Sequence, residues 1–206
     1  MAKHKSKTAW LKEHFKDEYV KKAQQLGLRS RAVFKLEEID QKEKLIKQGQ
    51  IVVDLGAAPG GWSEYAYKKM SGKGVVIALD LLDIEPITGV DFIRGDFSDD
   101  ETFEALQSLI KNRPVDVVLS DIAPNMSGAK SVDQARSMYL AELALDFAQS
   151  ALGKNGTFLI KLFQGEGFDA YVLQAKKTFT RVVIRKPKAS RPRSREVYLL
   201  ATGLKL

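Results

Sequence analysis

The sequence of 206 residues contains no cysteine and only two histidines. The absence of cysteine excludes disulfide bonds, thiolate metal sites and cysteine nucleophiles. Both histidines, His4 and His14, lie in the charged N-terminal segment. A general base elsewhere in the chain therefore has to be Asp, Glu, Lys or Tyr, which disfavours a serine hydrolase with a histidine base.

The sequence also lacks long apolar runs, and none approaches the ~20 residues of a membrane span. The N-terminal segment is basic and has no apolar stretch typical of a signal peptide, so we expect a cytoplasmic protein. Apolar residues make up 44% and charged residues 29% of the chain, as in globular proteins. Without repeats or low-complexity linkers, we predict a basic arm at 1–29 and one domain at 30–206.

Acidic residues are missing from one long segment. Residues 176–195 contain nine Lys and Arg and no Asp or Glu, whereas residues 51–175 have a net charge of −8 and residues 1–50 one of +6. Two basic ends around an acidic middle indicate a polyanion that binds beside a pocket of different charge. Such a distribution favours nucleic acid over a small-molecule substrate.

Short runs rich in Val, Ile and Leu alternate with helical patterns along the domain. The runs at 50–55, 74–81, 90–95, 115–121 and 157–163 predict strands buried on both faces. A helix is predicted from Ser30 to Gly49, and two capping boxes predict helices that begin near Ser98 and Ser131 and end near Pro114 and Gly153. The alternation predicts an α/β fold with a parallel sheet, helices on both faces, and a closing strand pair at 181–185 and 196–202.

Polar residues follow the strands at one edge of the predicted sheet, where ligands of open α/β sheets bind. They are Asp54, Asp80, Asp96, Asp121 and Lys161. Asp80 suits the acid that binds ribose hydroxyls in Rossmann-like sites. The turn Gly56-Ala-Ala-Pro-Gly-Gly61 has neither dinucleotide nor P-loop spacing, and its proline removes a backbone N–H. A ligand with an adenosine, a positive charge and no phosphate fits these residues, and S-adenosylmethionine has those properties.

Five segments in order, DLGAAPGGWS, SRAVFKL, SDIAPN, IKLFQG and SREVYLL, resemble the FtsJ/RrmJ family of RNA 2′-O-ribose methyltransferases. The resemblance covers the chain from about Ser30 to Leu206. It implies a Rossmann-like methyltransferase fold with an antiparallel last strand, and a substrate uridine of large-subunit (23S-type) ribosomal RNA in the assembled subunit. We separately expect a monomer. It also implies a catalytic set of Lys35, Asp121, Lys161 and Glu196, and S-adenosylmethionine contacts at Gly60, Trp62, Asp80, Asp96 and Asp121.

Transfer to a ribose 2′-hydroxyl requires an aligned hydroxyl and removal of its proton. Without a histidine in the domain, Lys161 is the hypothesised base, with Asp121 positioning it and Lys35 and Glu196 orienting the ribose. Nearby cations favour this role and nearby carboxylates oppose it. RNA is expected to bind the basic loop at Lys186, Lys188, Arg191, Arg193 and Arg195.

Other functions remain open at this point. Base-nitrogen methyltransferases share the fold, but the segment Asp121-Ile-Ala-Pro-Asn125 has no aromatic residue to stack a flipped base. A transfer RNA substrate, a small-molecule methyltransferase and a ribosome-assembly factor without catalysis are the further alternatives. The catalytic set disfavours the last of these, and the basic segment disfavours the small-molecule enzyme.

Overall fold

The computed structural model describes residues 17–111 and 113–205. In chain order its helices are α1 Glu18–Gln25, α2 Val33–Glu43, α3 Gly61–Lys69, α4 Asp100–Ile110, α5 Lys130–Ala151 and α6 Phe168–Thr178. Its strands are β1 Ile51–Leu55, β2 Val75–Asp80, β3 Val90–Arg94, β4 Val115–Ser120, β5 Leu152–Phe163, β6 Phe179–Arg185 and β7 Glu196–Leu204. None of the helices in the described ranges is long and apolar enough to cross a membrane.

The strands form one mixed sheet in the order β3-β2-β1-β4-β5-β7-β6. All neighbouring pairs from β3 to β5 are parallel, and β7 runs antiparallel to both β5 and β6. Five residues of β1 are buried, as expected for a strand covered on both faces. The predicted α/β fold, the strand pair at the end of the chain and its antiparallel strand are confirmed.

Side chains that alternate along the strands divide the core between the two faces of the sheet. On one face, Val53 and Leu55 of β1 pack with residues of α4, α5 and α6. On the other face, Val52 packs with residues of α2 and α3, including Trp62. Helices therefore cover both faces, and the carboxyl ends of the parallel strands are left open at one edge.

The predicted boundaries of one helix are wrong. The helix predicted from Ser30 to Gly49 is α2, which begins at Val33 and ends at Glu43. It ends there because Lys44 adopts a left-handed conformation with φ of 57°, so Gly49 does not end it. Helix α5 ends at Ala151, within one residue of the end near Leu152 predicted with Gly153 as the stop, and β5 begins at the next residue. The regular pairing of β5 with β4 nevertheless starts at Thr157, where the sequence pattern predicts the strand.

The two predicted capping boxes do not form. Helix α4 has Asp99 at its N-cap without a side-chain cap, and the Ser98 hydroxyl instead donates to Asp96 Oδ1 at 2.7 Å. Helix α5 begins at Lys130, so Ser131 lies inside its first turn. Ser98 is thus bonded to a neighbouring loop residue, and Ser131 lies inside the helix that it is predicted to cap.

The described part of the predicted arm, residues 17–29, contains α1, which packs onto the domain. Ala23 of α1 forms a small buried cluster with Phe34 of α2 and with Ala189, and Tyr19 packs against this cluster. Asp17 caps α1 by accepting the Tyr19 amide at 3.0 Å. The boundary at residue 29 stays a prediction, and residues 1–16 lie outside the described residues.

Candidate active site

A cleft opens at the carboxyl edge of the parallel strands. Asp80 ends β2, Asp96 follows β3 and Asp121 follows β4, and all three line a cavity of about 320 Å³. The remaining lining is largely apolar and includes Leu79, Phe97 and Ile122. The convergence of three acids that the strand pattern predicts is therefore present in the structure.

Backbone amides fix the two outer acids of this cleft. Asp80 accepts the amide N–H of Ala58 at 2.8 Å through Oδ2 and that of Leu82 at 2.9 Å through Oδ1. Asp96 accepts the amide and the hydroxyl of Ser98. These hydrogen bonds from Ser98 hold the pKa of Asp96 below its usual value. The cleft thus presents fixed negative charge to a ligand.

The turn after β1 requires glycine at Gly56. This residue has φ of 74°, and a Cβ on it would lie 2.5 Å from Ile122 Cγ1 and 2.8 Å from Ile122 Cα. Gly60 also has a positive φ, 94°, at the N-cap of α3. The turn therefore passes close to the loop after β4, and this close approach forms one wall of the cleft.

Asp54 lies beneath the turn and is fully buried. Its Oδ2 accepts the Ser63 hydroxyl at 2.6 Å, which ties the end of β1 to the first turn of α3, and its Oδ1 has no hydrogen-bond partner. Burial raises the pKa of Asp54 to about 7, and the nearby charges of Asp121 and Asp80 act in the same direction. Asp54 supports the site from below without lining the cleft.

Beside the cleft, the four predicted catalytic residues form two ion pairs. Lys35 of α2 contacts both carboxylate oxygens of Glu196, at 2.7 and 2.9 Å. Lys161 of β5 contacts Asp121 Oδ1 at 3.1 Å and donates to the Asp121 carbonyl at 2.5 Å. Both lysine side chains are only 8% exposed. The sequence predicts this set of residues, and the structure brings all four together.

Tyr198 connects the two ion pairs. It is fully buried, its hydroxyl donates to Asp121 Oδ1 at 3.0 Å, and Lys35 Nζ lies 5.7 Å from its ring centroid. Sequence reasoning missed this residue. A signal was present, because Tyr198 is two positions after Glu196 in β7 and so shares its face of the sheet. In the register of the sheet, Tyr198 also stands directly opposite Lys161.

Two predicted cofactor contacts lie apart from the lining of the cleft. Trp62 is 3% exposed, packs against Tyr198 with ring centroids 5.8 Å apart, and donates its indole N–H to the Ala32 carbonyl at 2.8 Å. Gly60 sits just before α3, and a Cβ there would lie 2.6 Å from Ile87 Cδ1. Any contact of these two residues with a ligand would use their backbone, and their role stays a prediction.

The predicted RNA-binding residues belong to the basic loop, residues 186–195, which joins β6 to β7. Lys186 Nζ donates to the carbonyls of Ser194 and Glu196, and the Lys188 amide donates to Glu38. The carbonyl of Arg195 accepts the Gln164 amide from the segment after β5. These bonds fix the basic loop beside the ion pairs. The remaining predicted RNA-binding residues, Arg191 and Arg193, belong to the same loop.

A Rossmann-like sheet in which the antiparallel strand β7 lies between β5 and β6, with an acidic cleft at its carboxyl edge, defines the class of S-adenosylmethionine-dependent methyltransferases. Within this class, the chain belongs to the FtsJ-like methyltransferase family, which matches residues 28–204. The predicted family is confirmed, and so is the predicted cofactor, S-adenosylmethionine, at the level of this family and fold.

Solved structures agree with this assignment. A Plasmodium falciparum protein assigned as a ribosomal RNA methyltransferase is 28% identical, with a TM-score of 0.78, covering 85% of this chain and 98% of its own. An rRNA methylase from Streptococcus thermophilus shares the fold at 14% identity and a TM-score of 0.52, over 82% of this chain and 95% of its own. MycE methyltransferase, solved with Mg and SAH, shares the fold at 15% identity and a TM-score of 0.53, over 84% of this chain and 47% of its own.

The residues of the cleft fit S-adenosylmethionine by their chemistry. Asp80 and Asp96 offer carboxylate oxygens to hydroxyl and amino groups, and the apolar side chains around them suit an adenine ring. Asp121 places a carboxylate on the side of the cleft that faces Lys161. Three carboxylates without a cation in the lining favour a positively charged ligand over a phosphate.

Proposed function

We propose that the protein methylates a ribose 2′-hydroxyl of RNA, with a uridine of 23S-type ribosomal RNA in the assembled large subunit as its substrate. The observation that carries this proposal is the pair of ion pairs, Lys35–Glu196 and Lys161–Asp121, between an acidic cleft and a basic loop. S-Adenosylmethionine, when bound, supplies an electrophilic methyl group. The enzyme acts in the cytoplasm as a monomer.

Each residue of the catalytic set has a role that its contacts support. Asp121 joins the two sides, since its carboxylate contacts both Lys161 Nζ and the Tyr198 hydroxyl. Lys35 and Glu196 hold each other through two short contacts, so their free hydrogen-bonding directions are fixed. We assign to this second pair the orientation of the ribose, and to Asp121 the positioning of Lys161.

Lys161 is proposed as the base that accepts the 2′-hydroxyl proton. Its amine is buried at the edge of the cleft and has to be neutral before it can accept a proton. The alanine variant has no proton acceptor at this position, so we expect Lys161→Ala to lose most turnover while binding donor and RNA. The matched control is Lys205→Ala, an exposed lysine whose side-chain amine donates to the Lys176 carbonyl. Near-full turnover in Lys161→Ala would refute the base assignment.

The experiment for the overall function supplies radiolabelled methyl donor with separate ribosomal subunits and with transfer RNA, and then maps the labelled nucleotide and atom. We expect label on the ribose 2′-oxygen of a large-subunit uridine. Label on transfer RNA would move the function to the alternative substrate within the family. Label on a base nitrogen would defeat the ribose assignment, and no transfer to any RNA would favour an assembly factor.

A further inference from the structure

A second concave surface lies on the other side of the ion pairs from the cleft. It has a volume of about 690 Å³ and is lined by the start of α1, by Arg31 and by the basic loop. Four of its lining residues are cationic, namely Arg31, Lys188, Arg191 and Arg193, against two acids, Asp17 and Glu18. Its wall also includes the aromatic ring of Tyr19. We call this surface the arm groove.

The arm groove is connected to the proposed catalytic residues by one hydrogen bond. Ser190 in its wall is 3% exposed and donates its hydroxyl to Glu196 Oε1 at 2.7 Å. The same carboxylate oxygen contacts Lys35 at 2.7 Å. A chain of RNA that lies in the arm groove would therefore pass directly beside the residues that orient the ribose.

Asp17 occupies the cationic part of the arm groove. Its Oδ2 lies 3.1 Å from Arg31 Nε and 3.3 Å from Arg191 Nε, and its side chain is 8% exposed. One carboxylate oxygen thus lies between two guanidinium groups, which is an arrangement that a phosphate oxygen also satisfies. The pairing is imperfect, because Arg31 Nε is buried and makes no hydrogen bond despite this distance.

We propose that the arm groove binds a phosphodiester of the substrate RNA, and that the Asp17 carboxylate holds Arg31 and Arg191 until an RNA phosphate replaces it. The proposal rests on the RNA substrate of the proposed function and adds a binding site to it. A phosphate brings its own negative charge to both arginines, so Asp17 and RNA compete for them. Tyr19 and the ring of Phe34, 5.5 Å away, support the same wall from beneath.

The decisive variant is Asp17→Asn. Asparagine keeps the shape and can still cap α1, so it removes the charge with little change to the helix. RNA then no longer has to displace an ion pair, and we expect a short fluorescent oligouridylate to bind about tenfold more tightly, the gain expected from one charged hydrogen bond. Tighter binding cannot result from unfolding, so this outcome separates the proposal from a structural effect.

Glu43→Gln is the matched control. Glu43 also bridges two arginines, Arg181 and Arg185, has a side chain that is 8% exposed, and lies outside the lining of the arm groove. It tests whether the loss of any one negative charge tightens RNA binding. We expect oligouridylate affinity within twofold of the unmodified protein. An equal gain in both variants would overturn the proposal.

A second variant tests the arginine itself. Arg31→Gln is expected to weaken oligouridylate binding and to reduce the slope of log affinity against log salt by about 0.7, the value for one lost phosphate contact on a single strand. Unchanged affinity and slope in Arg31→Gln, or unchanged or weaker binding in folded Asp17→Asn, would overturn the proposal. A gain for an oligoglutamate peptide but not for RNA would also overturn it and assign the groove to an acidic protein.

The two proposals fail separately. Affinity for oligouridylate is measured without methyl donor, so it does not depend on the atom that is methylated. If Asp17→Asn tightens binding but the label maps to a base nitrogen, the arm groove stands and the ribose assignment falls. If the label maps to the ribose but Asp17→Asn does not tighten binding, only the arm groove proposal falls.

Discussion

The pair between Lys35 and Glu196 allows stability and activity to be separated. Its side chains are 8% and 13% exposed, and the carboxylate contacts the ammonium through both oxygens. Lys35→Met removes one charge and keeps an unbranched apolar stem, while Glu196→Gln keeps the shape of the acid. The double variant removes both charges together. We expect these three proteins to differ widely in stability and to share a loss of methyl transfer.

The magnitude follows from what each change leaves behind. Removal of one partner from a buried ion pair leaves an unpaired charge and costs about 3–5 kcal/mol. We expect Lys35→Met near the lower limit, because Glu196 is partly exposed and keeps its hydrogen bond from Ser190. In a chain of this length, about 3 kcal/mol lowers the melting temperature by roughly 6–12 °C. The double variant leaves no unpaired charge, so it should recover to within about 1–2 kcal/mol of the unmodified protein.

Urea unfolding of all four proteins gives the coupling energy of the pair as a double-mutant cycle. The same four proteins are then assayed for methyl transfer at saturating donor and RNA. We expect a coupling energy of at least about 4 kcal/mol, because two single losses of about 3 kcal/mol or more exceed a double loss of about 1–2 kcal/mol. We also expect a double variant that is folded, stable and inactive. If each single variant changes the free energy of unfolding by less than about 0.5 kcal/mol and the two changes add in the double variant, the view that this pair is buried and mutually dependent is refuted. An active double variant would refute its role in orienting the ribose.

Three further predictions concern the cleft and the basic loop. Since burial and its acidic neighbours raise the pKa of Asp54 from 3.8 to about 7, the folded protein holds a proton that the unfolded chain loses, so stability falls as pH rises through this interval. Asp54→Asn cannot lose this proton. Its free energy of unfolding in urea should exceed that of the unmodified protein by up to roughly 4 kcal/mol above pH ~7, and the difference should disappear below pH ~4. Gly56→Ala places a Cβ 2.5 Å from Ile122 Cγ1, so we expect a loss of about 1–3 kcal/mol and weaker donor binding, measured by thermal unfolding and calorimetry. Replacing three arginines of the basic loop by Gln should reduce the salt slope of RNA binding by about 2 and leave donor affinity unchanged. The three are Arg191, Arg193 and Arg195. An unchanged slope would exclude the loop as a phosphate site.

The acidic cleft could be predicted from the sequence because it depends on a rule of topology. Parallel strands of one sheet have their carboxyl ends at the same edge. Acidic residues at the ends of neighbouring parallel strands therefore lie close together. Asp80, Asp96 and Asp121 follow this rule and line one cavity. The helix boundaries could not be predicted equally well, because each depends on a local competition. Ser98 illustrates this, since its hydroxyl binds Asp96 instead of capping the helix.

The arm groove could not be predicted, because it depends on contacts between distant parts of the chain. Asp17 and Arg191 are 174 positions apart, and neither lies in a recognisable pattern with the other. The sequence shows only a basic segment and a polar arm, which is compatible with a solvated surface. What the structure adds is the carboxylate between two arginines, and this contact converts a charge distribution into a specific binding hypothesis.

The two ion pairs separate regions of opposite charge. Two lysines and two carboxylates form a wall with no net charge. Tyr198 lies within this wall, since its hydroxyl donates to Asp121 and its ring lies beneath the Lys35 ammonium. On one side all the charged groups that line the cleft are carboxylates, and they attract a cationic methyl donor. On the other side the arm groove presents mostly cations, which attract a polyanion. Because each reactant is drawn to its own side, the methyl group and the ribose are expected to meet only at the wall, next to Lys161, the proposed base. The glycine turn after β1 belongs to the same division, since a phosphate-binding loop on the cleft side would attract the wrong reactant.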